Sequence, residues 1–227
     1  MPKYSWIIFD ADGTLFDYDR SARAALAGTL KQYGVGFDAA IHRRFTDINN
    51  RLWREFELGR ISSEKLRVQR FEKLATVSGI QFNPSEFSAD YIRNLGAQGH
   101  LLPGSQEVVR GLAQKADLAL ATNGIAETQH SRFAASSIRP FFKALVISDE
   151  VGAAKPAARF FRELFSRIGN PGRSQVLMVG DSLSSDIKGG SDFGIDTCWF
   201  NPPGRTNDTP IQPTYEIREI YQINEIV

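Results

Sequence analysis

Ser5-Trp6-Ile7-Ile8-Phe9-Asp10-Ala11-Asp12-Gly13-Thr14 is the stretch from which the fold is read. Ser5–Phe9 is short, β-branched and aromatic, and it runs into a glycine-containing turn, which predicts a buried strand. Downstream the texture changes twice. From Asp19 to about Ala97 it is helical: Asp19–Tyr33, Asp38–Leu58, Ser62–Ser78 and Pro84–Leu95 each have the length and pattern of a helix, with Asp19, Asp38 and Ser62 as expected N-caps. Helices in a row with no strand between them predict a small bundle. After Leu101-Leu102-Pro103-Gly104 helices and apolar strands alternate. The strands are expected at Leu118–Thr122, Ala144–Ser148, Val176–Val179 and Thr197–Phe200, and the helices at Ser105–Lys115, Ala126–Ser136, Pro156–Ile168 and Ser184–Phe193. Such alternation predicts an α/β, doubly wound parallel sheet. The simplest architecture puts the first strand in that sheet. Residues 1–16 and 97–227 then form the core, and residues 17–96 form a helical cap inserted after the first strand. Pro202–Pro213, rich in Pro, Gly, Thr and Asn, reads as a surface loop.

Composition narrows the function. The 227 residues are 42% hydrophobic and 23% charged with a formal net charge of +1, which argues against a binder of nucleic acid polymers. Residues 17–96 carry 13 Lys and Arg against 10 Asp and Glu, a mildly basic balance that suits an anionic substrate and a solvated helix surface equally well. The single cysteine, Cys198, excludes an internal disulfide, and its apolar strand predicts an inert buried thiol. No signal peptide or membrane span is legible, so a cytoplasmic protein without membrane attachment is expected. No protein partner is implied. His42, His100 and His130 share no motif, and Phe160, Phe161 and Phe165 have the spacing of core packing.

In open parallel sheets ligands bind beyond the carboxyl ends of the strands. Beyond the first expected strand stands Asp10-Ala11-Asp12-Gly13-Thr14, and beyond the second Thr122-Asn123-Gly124. Ser148-Asp149-Glu150 follows the third, with Lys155-Pro156 ahead of the next helix. Gly180-Asp181-Ser182 follows the fourth, with Asp186 one turn on. Any one of these aspartates alone reads as a turn or cap residue; together they place carboxylates, an ammonium, a hydroxyl and an amide on one rim. That set suits phosphoryl transfer. A carboxylate can attack phosphorus, a hard divalent ion such as Mg²⁺ offsets its repulsion from a phosphate dianion, and Lys155, Thr122, Asn123 and the N–H groups of the Asp12–Gly13 turn offer donors to phosphoryl oxygens. Asp12, two residues from Asp10 on a turning backbone, is placed to protonate a leaving alkoxide.

In order along the chain, Asp10-Ala11-Asp12-Gly13-Thr14, Ala121-Thr122-Asn123-Gly124, Ala154-Lys155-Pro156 and Gly180-Asp181-Ser182 with Asp186 resemble the four motifs of the haloacid dehalogenase superfamily. The resemblance implies Asp10 as nucleophile, Asp12 as acid and base, and Thr122, Asn123 and Lys155 on the phosphate. It also implies Mg²⁺ held by Asp10, the Asp12 carbonyl and Asp181, with Asp186 in support. Phe9–Phe16, Asn50-Arg51-Leu52-Trp53 through Gly59-Arg60-Ile61-Ser62, and Val146–Gly152 are similar to the pyrimidine 5′-nucleotidase branch, which carries mostly Glu where this chain has Gly13. The expected substrate is therefore a small phosphorylated metabolite, foremost a pyrimidine nucleoside 5′-monophosphate. The rival readings are a phosphatase of phosphoglycolate or a sugar phosphate, a phosphomutase, a 2-haloacid dehalogenase and a non-catalytic interaction protein. Asn49, Trp53 and Arg60, in the segment expected to cover the leaving group, are the specificity candidates.

Overall fold

The computed structural model describes residues 3–227; Met1 and Pro2, which the sequence reading counts in the core, lie outside the described residues. Strands β1 (Trp6–Phe9), β2 (Asp117–Thr122), β3 (Phe142–Ile147), β4 (Val176–Gly180), β5 (Asp196–Phe200) and β6 (Tyr215–Ile217) form one sheet in the order β3-β2-β1-β4-β5-β6. Every pairing is parallel. β1 lies between β2 and β4, so its residues must be apolar on both faces. Ile7 and Phe9 pack on one side with Leu118, Leu120, Leu177 and Val179, while Ile8 packs on the other with Ala119, Met178 and Phe161. Helix α5 (Ser105–Leu112) covers the first face through Val108, Val109 and Leu112. The second is covered by α8 (Ala158–Arg167), whose Phe160, Phe161 and Phe165 are buried, and by Phe193 of α9 (Lys188–Phe193).

Contacts divide the chain into two compact units. One comprises the chain to Tyr18, His100–Ala126 and Phe133–Val227; the other comprises Asp19–Gly99 and Glu127–Arg132. The sequence boundaries shift accordingly. Asp17 groups with the sheet because its N–H donates to the His100 carbonyl at 2.9 Å, beside a bridge between Phe16 and Leu101. Part of α6 (Ala126–Ala135) groups with the helices. There Glu127 pairs with Arg67 at 3.0 Å, the Thr128 hydroxyl donates to the Ile92 carbonyl, and Gly96 lets the Ser131 side chain approach.

The second unit is helical: α1 (Tyr18–Gln32) from Asp19 onward, α2 (Ala39–Glu57), α3 (Ser63–Ser78) and α4 (Pro84–Gly96). Asp38 and Ser62 are N-caps, accepting from the Ile41 and Lys65 amides. Asp19 is not a cap: the helix already begins at Tyr18, and Asp19 lies in its first turn. Asn83 caps α4 in front of Pro84. An aromatic core of Phe45, Phe71, Phe87 and Tyr91 holds the bundle, with ring centroids 5.1–5.6 Å apart. The helix expected at Ser184–Phe193 is a π-helical turn, Leu183–Ile187, followed by α9. β6 was not expected, since it is short and follows the proline-rich segment. No helix among the described residues is long and apolar enough to cross a membrane.

Candidate active site

Asp10 follows β1 directly, held by an N–H bond to the Val179 carbonyl at 2.8 Å. Its carboxylate is nearly buried and accepts a 2.6 Å hydrogen bond from Lys155 Nζ. Lys155 is itself 1% exposed. Its ammonium also donates to Asp186 Oδ1 and to the Ala121 carbonyl, each at 2.7 Å, so all three protons are placed. Two carboxylates against one ammonium, all desolvated, would be costly without those hydrogen bonds. Burial works against the charge on Lys155, but Asp10 and Asp186 more than offset it, and its pKa stands above the ordinary lysine value. The ammonium therefore stays protonated through neutral pH and is a fixed cation rather than a proton carrier.

Asp186 reaches this position from the π-helical turn after β4. The Ser182 hydroxyl accepts from the Ser185 amide, Ser182 N–H donates to Asp186 Oδ2 at 3.1 Å, and Oδ1 meets Lys155. The two oxygens of Asp186 are thus engaged with the chain itself. Gly180 makes room for it: a Cβ there would lie 2.2 Å from Asp186 Oδ2. Gly180→Ala is therefore expected to push Asp186 off Lys155, with a stability loss of about 1–3 kcal/mol from overpacking and a fall in kcat/KM of more than about tenfold. Thermal melting beside steady-state kinetics separates the two effects; unchanged kinetics would mean the Asp186–Lys155 pair is dispensable.

One oxygen each from Asp10, Asp181 and Asp186 lies within 4.8 Å of the others. Burial and the charges of Asp186 and Asp181 hold the Asp10 carboxyl well above the usual carboxylate range despite Lys155. Burial, then Asp186, pushes Asp181 up to about 7. The set is thus short of positive charge, and a hard divalent cation fits it. Asp12 bears electrostatically on Asp181. Gly13 between them has φ +81°, and a Cβ there would lie 2.9 Å from Asp181 Oδ2, so glycine admits both the turn and the close approach.

Thr122 ends β2, buried, with its hydroxyl oxygen accepting from the Gly124 N–H at 3.0 Å and its proton left to point elsewhere. Asn123 differs from expectation. Its Nδ2 donates to the Lys155 carbonyl at 2.9 Å and its Oδ1 accepts from the Lys155 N–H at 2.8 Å. The amide is engaged at both ends with the Lys155 backbone instead of being turned wholly toward a ligand. Asp149, read as a turn residue, lies in the short helix α7 (Ser148–Val151) and accepts from the Ala126 N–H at the start of α6. Cys198 is fully buried, and burial pushes its thiol up to about 12, the inert state expected.

The specificity candidates have different settings within the helical unit. Asn49 is 2% exposed and accepts from Arg70 Nη1 at 3.2 Å, with the guanidinium 4.9 Å from the Phe71 and Tyr91 rings; this is an interior position. Arg60 is exposed and pairs with Glu55 at 3.1 Å. Trp53 is half-buried and meets Phe56 edge-on, centroids 5.6 Å apart.

A family model described as haloacid dehalogenase-like hydrolase matches residues 4–194. The chain is 37% identical over 215 residues to pyrimidine 5′-nucleotidase PynA of Streptococcus pneumoniae, covering 94% of this chain and 91% of that protein. It is 34% identical over 225 residues to pyrimidine 5′-nucleotidase YjjG of Escherichia coli, covering 99% and 98%. A crystal structure of the HAD-hydrolase YfnB of Bacillus subtilis, bound to magnesium, superposes with a TM-score of 0.94 at 33% identity, covering 99% of this chain and 98% of that one.

Proposed function

The chain belongs to the haloacid dehalogenase-like hydrolases, and we propose that within them it is a Mg²⁺-dependent phosphatase of small nucleoside 5′-monophosphates, pyrimidines foremost. The observation that carries the phosphatase chemistry is the buried contact of Lys155 with Asp10, with Asp181 and Asp186 beside it. The nucleotide preference is supported by the two relatives named pyrimidine 5′-nucleotidases.

In this reading Mg²⁺ would be held by Asp10, the Asp12 carbonyl and Asp181, with Asp186 supporting, and when bound it supplies the positive charge that lets a carboxylate meet a phosphate dianion. An Asp10 oxygen attacks phosphorus, the P–O bond to the nucleoside breaks, and the leaving oxygen takes a proton from Asp12. Water then attacks the aspartyl phosphate, giving its proton back to Asp12; inorganic phosphate leaves and Asp10 is restored. The Thr122 hydroxyl donates to phosphoryl oxygens, and Lys155, whose three protons rest on Asp10, Asp186 and Ala121, sets a fixed positive charge beside them and donates to a phosphoryl oxygen only by giving up one of those bonds. Asn123 contributes chiefly by fixing the backbone from which Lys155 reaches in.

The roles of Asp12 and Asp181 are separable. Asp12→Asn should cut kcat about a hundred- to ten-thousand-fold with little change in the Mg²⁺ requirement, because proton transfer is lost while its carbonyl stays. Asp181→Asn should raise the Mg²⁺ requirement first. Titrating activity against Mg²⁺ in both variants reads this; the reverse pattern would exchange the two assignments.

The substrate reading is tested by kcat/KM for uridine, cytidine and adenosine 5′-monophosphates, a sugar phosphate, phosphoglycolate and p-nitrophenyl phosphate with Mg²⁺ present. Pyrimidine nucleotides should lead. Activity confined to p-nitrophenyl phosphate or to a sugar phosphate or phosphoglycolate would leave the phosphatase and remove the nucleotidase. Of the three specificity candidates we carry Trp53 forward, since Asn49 is interior and Arg60 is paired. Trp53→Ala should change the uridine-to-adenosine ratio several-fold while sparing p-nitrophenyl phosphate. An equal loss on all three would end its role in specificity.

A further inference from the structure

The carbonyl oxygen of Asp181 accepts two hydrogen bonds from residues outside every motif read in the sequence. Trp199 Nε1 donates to it at 3.0 Å and an Arg205 guanidinium nitrogen at 3.0 Å. Trp199 is buried in β5, its backbone in register with Gly180 immediately before Asp181. Arg205 comes from the loop after β5, and that loop is shaped around Asn201. Fully buried, Asn201 donates through Nδ2 to the Arg205 carbonyl at 2.9 Å and to Glu216 Oε1 at 2.8 Å, and accepts through Oδ1 from the Arg205 N–H at 2.9 Å. Its own N–H donates to the Ile217 carbonyl of β6 at 2.8 Å. The guanidinium carbon lies 5.8 Å from the Trp199 ring.

A peptide carbonyl is satisfied by one donor. Two donors, from a strand and from a separately anchored loop, fix the plane of the Asp181 peptide and hence the direction in which its Cα–Cβ bond leaves the backbone. Asp181 needs such fixing, because it stands on the turn after β4, where no ladder holds the chain. Removing groups that orient a ligand without touching the ion commonly weakens metal affinity by about tenfold or more.

We propose that Trp199 and Arg205, with Asn201 shaping the loop, are positioning residues that hold Asp181 in the direction required to bind Mg²⁺. The proposal rests on the reading of Asp181 as a metal carboxylate. Trp199→Phe keeps a buried aromatic ring, smaller than indole, and removes the N–H; Arg205→Met keeps the stem and removes the donor; Arg205→Lys keeps a donor and the charge. Loss of positive charge alone would draw Mg²⁺ in more tightly, so weaker binding in Arg205→Met reports the lost hydrogen bond.

The test is Mg²⁺ binding to substrate-free protein, read as the dissociation constant fitted to the logarithmic rise of the thermal midpoint with Mg²⁺ concentration. Wild type, the three variants, the Trp199→Phe/Arg205→Met double variant and Asp181→Asn are compared. Each single removal should raise that dissociation constant several-fold and the double variant about tenfold or more, with Arg205→Lys near wild type. The KM for p-nitrophenyl phosphate at saturating Mg²⁺ should stay within about twofold, since phosphate contacts are untouched. A melting point lowered in every variant with unchanged Mg²⁺ dependence would overturn the proposal and leave a purely structural brace. Should Trp199→Phe not fold, the exposed Arg205 pair decides alone. If wild type shows no Mg²⁺ response, or Asp181→Asn responds as wild type does, the metal reading of Asp181 fails instead.

Discussion

Asp10→Asn should leave a folded protein whose kcat has dropped by at least about a thousandfold, the scale on which losing a covalent nucleophile registers. Asparagine is nearly isosteric, and Lys155 would still meet an oxygen at the place of Oδ1, so the surroundings that bury Asp10 have no reason to collapse. What changes is chemical: an amide oxygen is a poor nucleophile and a weaker metal ligand. Rapid acid quenching with a ³²P-labelled substrate gives an independent reading. Wild type should carry an acid-stable label that hydroxylamine removes, the behaviour of an acyl phosphate, and Asp10→Asn should carry none. Residual kcat above about a tenth of wild type would dismiss covalent transfer through Asp10.

Lys155→Met should be the more damaging change to stability. The ammonium is the shared partner of two buried carboxylates, and breaking such a pair by removing one partner costs about 3–5 kcal/mol. Activity should fall by more than about a hundredfold, beyond what partial unfolding explains, because the fixed positive charge beside the phosphoryl oxygens is lost. Lys155→Met combined with Asp186→Asn should regain part of the stability, since one uncompensated buried charge goes with it, and none of the activity. Denaturant midpoints and kcat for the single and double variants check this. A double variant no more stable than Lys155→Met would mean that Asp186 is satisfied without the lysine.

The contrast between these two variants also marks what the sequence could and could not reveal. The apolar runs that became β1, β2, β4 and β5 were legible because a strand buried on both faces must be apolar throughout, whereas β3, at the sheet edge with Lys143 exposed, was legible only over its apolar second half. β6 was not, because three residues following prolines carry too little periodicity to stand out. Asp10, Lys155, Asp181 and Asp186 were legible as residues beyond strand ends. The sharing of one lysine by Asp10 and Asp186 was not, since it depends on where a π-helical turn aims a side chain. Asn123 was read as a donor to phosphate because only its type and position were visible; its grip on the Lys155 backbone is a tertiary fact. Asn49 carried a usable signal. It falls on the same face of α2 as Ile41, Phe45, Ile48 and Leu52, all buried, so the helical pattern alone would have placed it indoors. Trp199 and Arg205 offered none: a tryptophan in a strand and an arginine in a glycine-containing loop have no spacing that points to Asp181.

The order of the strands in the sheet has a consequence for how the chain is made. β1 is finished first by the ribosome, yet its neighbours are β2 and β4, with Trp6 paired to Asp117 and to Val176. At roughly 5–20 residues per second, β1 waits on the order of ten seconds or more for its second neighbour to be synthesised. The helices from Tyr18 to Gly96 emerge in between and close mostly local contacts, the kind that form quickly. A nascent chain stopped before β4 would thus hold a tryptophan-, isoleucine- and phenylalanine-rich strand with one edge open, a ready target for chaperones and for aggregation. Hydrolytic competence would arrive abruptly, only once the segment from Gly180 to Asp186 has left the exit tunnel.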